Sequence, residues 1–150
     1  MKNYPKLFAL TGSLLILQLL LSGFLLSGTA WNTVQQLLLQ RTAFMEQACY
    51  GELTLQEAEN ALSAIEVQPL LRQDVEGIRR QGNAGLERVK DLRILVLERL
   101  HSYAGKETYR MQVEWTLSTG NGLERETVFY YLVLEEVGGE MRMAQLEPVL

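Results

Sequence analysis

Tyr109–Leu117 reads Tyr-Arg-Met-Gln-Val-Glu-Trp-Thr-Leu, apolar and polar by strict turns. Successive side chains of a strand leave opposite faces. Tyr109, Met111, Val113, Trp115 and Leu117 therefore share one face, and Arg110, Gln112, Glu114 and Thr116 the other. A strand with one dry and one wet face belongs in an antiparallel sheet. Trp115 has the apolar parity and is expected in the core.

Working outward from this strand, Asn121-Gly122 is a favoured hairpin turn. Thr127–Val137 is a long β-rich run, expected to be central in the sheet. Gly138-Gly139 turns the chain again, and Met141–Leu146 makes a short last strand. On the N-terminal side, Leu92, Ile94 and Val96 alternate with Arg93, Leu95 and Leu97, the pattern of a strand with both faces at least partly covered. A helix over Ala84–Leu100 is the alternative there, and the sequence leaves the two open.

Earlier in the chain the period is helical. Trp31–Cys49 places Val34, Leu37, Leu38, Phe44, Met45 and Ala48 on one side, with no Pro or Gly between Gly28 and Gly51. This helix is expected to rise from the membrane, to end at Tyr50-Gly51 and to offer a surface to a partner. Thr54-Leu55-Gln56-Glu57 is a capping box, because the Thr54 hydroxyl and the Glu57 carboxylate can each satisfy a free backbone N–H of the first turn. Leu55, Ala58, Ala61, Leu62 and Ile65 line the helix that follows. Pro69 suits the first position of the next helix, whose apolar side is Leu70, Leu71, Val75 and Ile78. Gly82 caps it and Asn83–Gly85 is a loop. Helices followed by a meander of about four antiparallel strands make the fold class α+β.

The run from Thr108 to Pro148 resembles the closing hairpins of the nuclear-transport-factor-2-like cone fold, found in many small exported bacterial proteins. The resemblance extends over Asp91–Pro148. It departs from the family in the last strand, where Met141 and Met143 stand in place of the usual aromatic. It implies a curved sheet with an internal cone, and it carries over no functional residue. Proteins of that fold include enzymes, ligand binders and parts of secretion machines, so it does not choose a function.

Leu7–Leu26 is 20 residues without a charge. As a helix it would span about 30 Å, the thickness of a hydrocarbon core. Lys2 and Lys6 precede it and no base follows until Arg41, which puts the N-terminus in the cytoplasm and the remainder outside. Trp31 falls at the interfacial depth. Gly28-Thr29-Ala30 offers a signal-peptide cleavage site as the alternative, although an apolar core of 20 residues is long for a signal peptide. The expected division is a membrane anchor in 1–30 and an extracytoplasmic domain in 31–150, a single-pass arrangement with the bilayer as one partner through Leu7–Leu26.

The outer domain holds all 18 acids against 12 bases, a net charge of −6. Such a surface repels phosphates, so nucleic acid is not an expected partner. One cysteine, Cys49, excludes an internal disulfide, leaving a small apolar helix residue or a bridge between chains.

The sequence offers little chemistry. His101 is the one histidine and the one side chain that starts near neutral pH. Ser102 adjoins it but would point to the opposite face, and Glu98 and Glu107 read as surface charges. The carboxylate pairs Glu57/Glu59, Glu124/Glu126 and Glu135/Glu136 read as solvated, as do local ion pairs of Asp74 with Arg79 or Arg80. Gly82-Asn83-Ala84-Gly85 lacks the Lys-Ser/Thr of a phosphate loop. Trp115, Phe129, Tyr130 and Tyr131 are candidates to line a pocket or simply to fill the core. No catalytic residue, cofactor or metal ligand is assigned. The expected function is that of a non-enzymatic, membrane-anchored module that binds another protein of a cell-envelope assembly. The alternative is a binder of a small molecule or peptide in a sheet-lined pocket.

Overall fold

The computed structural model describes residues 28–81 and 88–149. They belong to two units, Met1–Val34 and Gln35–Leu150. Residues 28–34 of the first are helical, with Thr33 Oγ1 donating to the Thr29 carbonyl at 2.9 Å. The expected span Leu7–Leu26 lies outside the described residues, as do the Gly82 cap and the Asn83–Gly85 loop. Among the described residues no helix is long and apolar enough to cross a membrane.

The second unit has three helices and then a sheet. Helix α1 (35–49) ends at Gly51, whose φ of 75° is a left-handed value that a side chain would strain. Helix α2 (Leu55–Ser63) begins on the capping box, Glu57 N–H donating to Thr54 Oγ1 at 3.2 Å and Thr54 N–H to Glu57 Oε2 at 2.8 Å. Helix α3 (Leu70–Gln81) starts one residue after Pro69, which stands in the turn and not in the helix.

Four antiparallel strands follow in sequence order: β1 (Arg88–Tyr103), β2 (Lys106–Thr119), β3 (Gly122–Val137) and β4 (Glu140–Pro148). The strand reading of β1 holds over the helical one. The expected alternation in β2 holds too, and β3 is interior, paired on both sides. One face of the sheet is dry. Leu92, Ile94, Tyr109, Met111, Val113, Leu132, Leu134 and Met143 are buried on it, and the register sets Ile94 beside Val113 and Tyr109 beside Leu132. The helices contribute Leu37, Leu38, Ala58, Leu62, Leu70, Val75 and Ile78 to the core. Helix α1 is thus part of the domain's packing.

β1 buries Leu92 and Ile94 on the dry face and is covered only in part on the other. It lies at the sheet edge, and Leu95 and Val96 are 45% and 48% exposed. Its register against β2 slips at Lys90, Leu95 and Leu100, five residues apart. Each slip is a bulge, which bends the strand and adds twist. The opposite edge is closed differently: Val67 N–H donates to the Met143 carbonyl at 2.9 Å, and Met143 N–H to that of Ile65 at 2.8 Å. The link between α2 and α3 thereby lies along β4 and carries Glu66 inward.

Candidate functional site: a groove behind a buried arginine

Helix α1 is tied to the rest of the unit by charge as well as by apolar packing. Arg41 donates from Nε to Asp74 Oδ2 at 2.6 Å and from Nη2 to Asp74 Oδ1 at 2.7 Å. This two-point contact is the strongest geometry available to an arginine and a carboxylate. Glu66 Oε1 stands 3.3 Å from Arg41 Nε, outside hydrogen-bond geometry. Both carboxylates are buried, Glu66 at 1% exposure and Asp74 at 6%.

Two carboxylates and one guanidinium leave one negative charge too many in a dry place. The fold resolves this with a proton on Glu66. Burial, then the charge of Asp74 and a hydrogen bond with it, push the Glu66 pKa up to about 9, with Arg41 opposing. With that proton in place the three groups together are neutral.

Arg41 also lines an open groove of about 500 Å3. One wall is α1, with Thr42, Met45, Glu46 and Cys49; the floor is Trp115, Leu117, Val128 and Tyr130 of β2 and β3. Gln81, Val89 and Glu126 complete its rim. Glu46 is held in place by accepting the Val89 N–H, and Cys49 Sγ approaches Gln81 Oε1 at 3.8 Å. Burial and Glu46 both push the Cys49 thiol pKa up, so it stays a neutral thiol. Trp115 meets Tyr130 edge-on with ring centroids 6.4 Å apart. Burial raises the Tyr130 pKa, with Trp115 and Arg41 opposing and Glu126 adding. Among the described residues Trp115 Nε1 is buried without a partner at hydrogen-bond geometry.

The four candidate aromatics divide by parity. Trp115 and Tyr130 face the groove, whereas Phe129 and Tyr131 lie on the other face, 49% and 42% exposed. Trp115 itself is half-buried and not a core residue, a correction that follows from the groove beside it. Asp74 is also corrected: it is buried on Arg41, while Arg80 pairs with Glu76 at 3.1 Å. Glu57 is a helix cap, Glu135 pairs with Lys106 at 3.0 Å, and Glu126 reaches the groove. His101 is exposed near the end of β1, and Tyr103 is the ring beside it, 6.5 Å away between centroids. Among the described residues no three of His, Cys, Asp and Glu come together as metal ligands.

Sequence reasoning missed Arg41 and Glu66. One signal was present: Asp74 falls midway between Leu70 and Ile78 on the apolar stripe of α3, where a solvated aspartate does not belong.

No family model and no curated protein matches the chain. Among solved structures, the intermembrane space region of the chloroplast protein ARC6 is similar at a TM-score of 0.50 and 8% identity, over 79% of this chain and 95% of that one. A designed protein described as Rd1NTF2_05, with five substitutions, is similar at a TM-score of 0.40 and 14% identity, over 79% of this chain and 97% of that one. The first of these likenesses is one of fold.

Proposed function

We propose that this chain is a non-enzymatic, membrane-anchored extracytoplasmic module that docks a partner protein of a cell-envelope assembly in the groove between α1 and the sheet. The observation that carries this reading is the groove itself: an open apolar floor of Trp115, Leu117, Val128 and Tyr130, walled by a helix that a buried ion pair holds in place. His101, the one side chain suited to acid–base work at neutral pH, stands exposed at a strand end and is not among the groove's lining residues. A similar fold in a region described as lying between two membranes supports an envelope setting. The β2–β4 meander, formed by the run from Lys106 to Pro148, supports reading the fold as a divergent nuclear-transport-factor-2-like cone.

A photo-crosslinking amino acid at Thr42, on the groove wall, should yield one dominant protein adduct in cells. The same amino acid at Thr116, on the opposite face of β2, should not. Trp115→Ala should abolish the adduct while costing the half-buried site only about 1–2 kcal/mol of stability. An adduct indifferent to Trp115→Ala would remove the groove from consideration.

A small molecule or peptide is the second reading. The groove volume favours it, since small-molecule clefts run from roughly 300 to 1,000 Å3. Complete absence of protein adducts from Thr42, with a ligand recovered from the purified chain, would decide for it.

The anchor is tested separately. After alkaline carbonate washing the chain should remain with the membranes through Leu7–Leu26, with its N-terminus intact by mass spectrometry. A soluble product beginning at Trp31 would replace the anchor with a cleaved signal.

A further inference from the structure

Resting on the docking reading above, we infer that the groove takes a basic, apolar segment of its partner: a large apolar side chain on the Trp115 floor, flanked by lysine or arginine. The argument is one of uncompensated charge. Among the described residues, the charged side chains that line the groove are Arg41, Glu46 and Glu126. Both strong hydrogen bonds of Arg41 go to Asp74, so its charge is cancelled from inside the domain. Glu46 and Glu126 are not cancelled. Glu46 accepts one backbone N–H, which fixes its carboxylate without neutralising it. Glu126 forms no ion pair among the described residues. The two stand on different walls, one on α1 and one on β3, with the apolar floor between them.

The opposite face of the sheet provides the contrast. There Glu98 is matched by Arg110 at 2.6 Å, Glu135 by Lys106 at 3.0 Å and Asp91 by Arg93 at 2.9 Å. Apolar side chains are exposed on that face too, Phe129 and Tyr131 among them, but three of its carboxylates already hold a cation. In the groove, apolar surface and unmatched carboxylates coincide. An anionic segment there would meet two like charges in a domain of net charge −6, a juxtaposition that interfaces avoid.

The test is selection of random displayed dodecapeptides on the full-length chain in nanodiscs of neutral lipid, with the Trp115→Ala chain as counter-selection. Enriched sequences should combine large apolar residues with Lys or Arg. A representative with two cations should bind roughly tenfold more tightly than its counterpart with two glutamates. Glu126→Lys should erase or reverse that preference. Glu114→Lys, the same charge change on the opposite face, should leave it unchanged. Enriched peptides that depend on Trp115 but are neutral or acidic would overturn the charge inference and leave the docking reading standing. Enrichment on the Trp115→Ala chain equal to that on the unaltered chain would overturn the docking reading itself.

Discussion

Replacing Arg41 by methionine should cost the fold about 3–5 kcal/mol, because removing one partner of a buried ion pair leaves the other uncompensated. Methionine keeps most of the apolar stem, so the loss reports charge and hydrogen bonding more than volume. The side chains of Glu66 and Asp74 are 0% and 8% exposed and can gain little from water. The loss should be largest at alkaline pH, where Glu66 also ionises and two carboxylates face each other without the arginine. The triple variant Arg41→Met, Glu66→Gln, Asp74→Asn removes the stranded charge along with the cation and should recover most of the loss. Urea unfolding monitored by circular dichroism measures all of these. A single variant within 1 kcal/mol of the unaltered chain at neutral pH would show that the arginine is not what holds α1 in register.

The same cluster marks where sequence reading ends. The alternation at Tyr109–Leu117 located β2 and gave the right parity, because a strand's faces follow from local geometry alone. Its first three apolar positions are buried and the next two are only partly so. Parity says which face a residue is on, not whether a helix covers that face at that height. The bulges of β1 are equally invisible, since a slip is a property of the pairing and not of either strand. The extent to which Leu95 and Val96 stand exposed at the bulged edge is therefore not legible in the strand pattern. Arg41 and Asp74 lie 33 positions apart. Nothing local announces their meeting, and the helix period of α3 hints only at Asp74. The groove inherits this difficulty, since its lining comes from α1, the end of α3 and three strands. Its aromatic floor was within the sequence-level candidates, but the division of those four residues between two faces needed the register.

Glu66→Gln should change the pH dependence of stability more than its value at any one pH. The folded chain holds Glu66 protonated up to about pH 9, mainly through burial and then through the charge of Asp74. The unfolded chain releases that proton near the ordinary glutamate value of about 4.3. Below that value both states carry the proton and the glutamate costs nothing. Between the two values the folded state binds one proton more than the unfolded state, so stability falls as pH rises, at up to about 1.4 kcal/mol per pH unit. Above the folded value both states are ionised and the deficit is constant. Glutamine has the shape of the protonated acid, but it has no proton to release. The two chains should therefore agree within about 1 kcal/mol at pH 5, where little of that gradient has accumulated. They should separate steadily toward pH 9, with the glutamine chain the more stable by several kcal/mol, on the order of the gradient summed over that interval. Denaturant midpoints at pH 5, 7 and 9 give the comparison directly. Parallel stability curves for the two chains would mean that Glu66 is ionised in the folded state, and that Arg41 is shared between two carboxylates and not committed to Asp74.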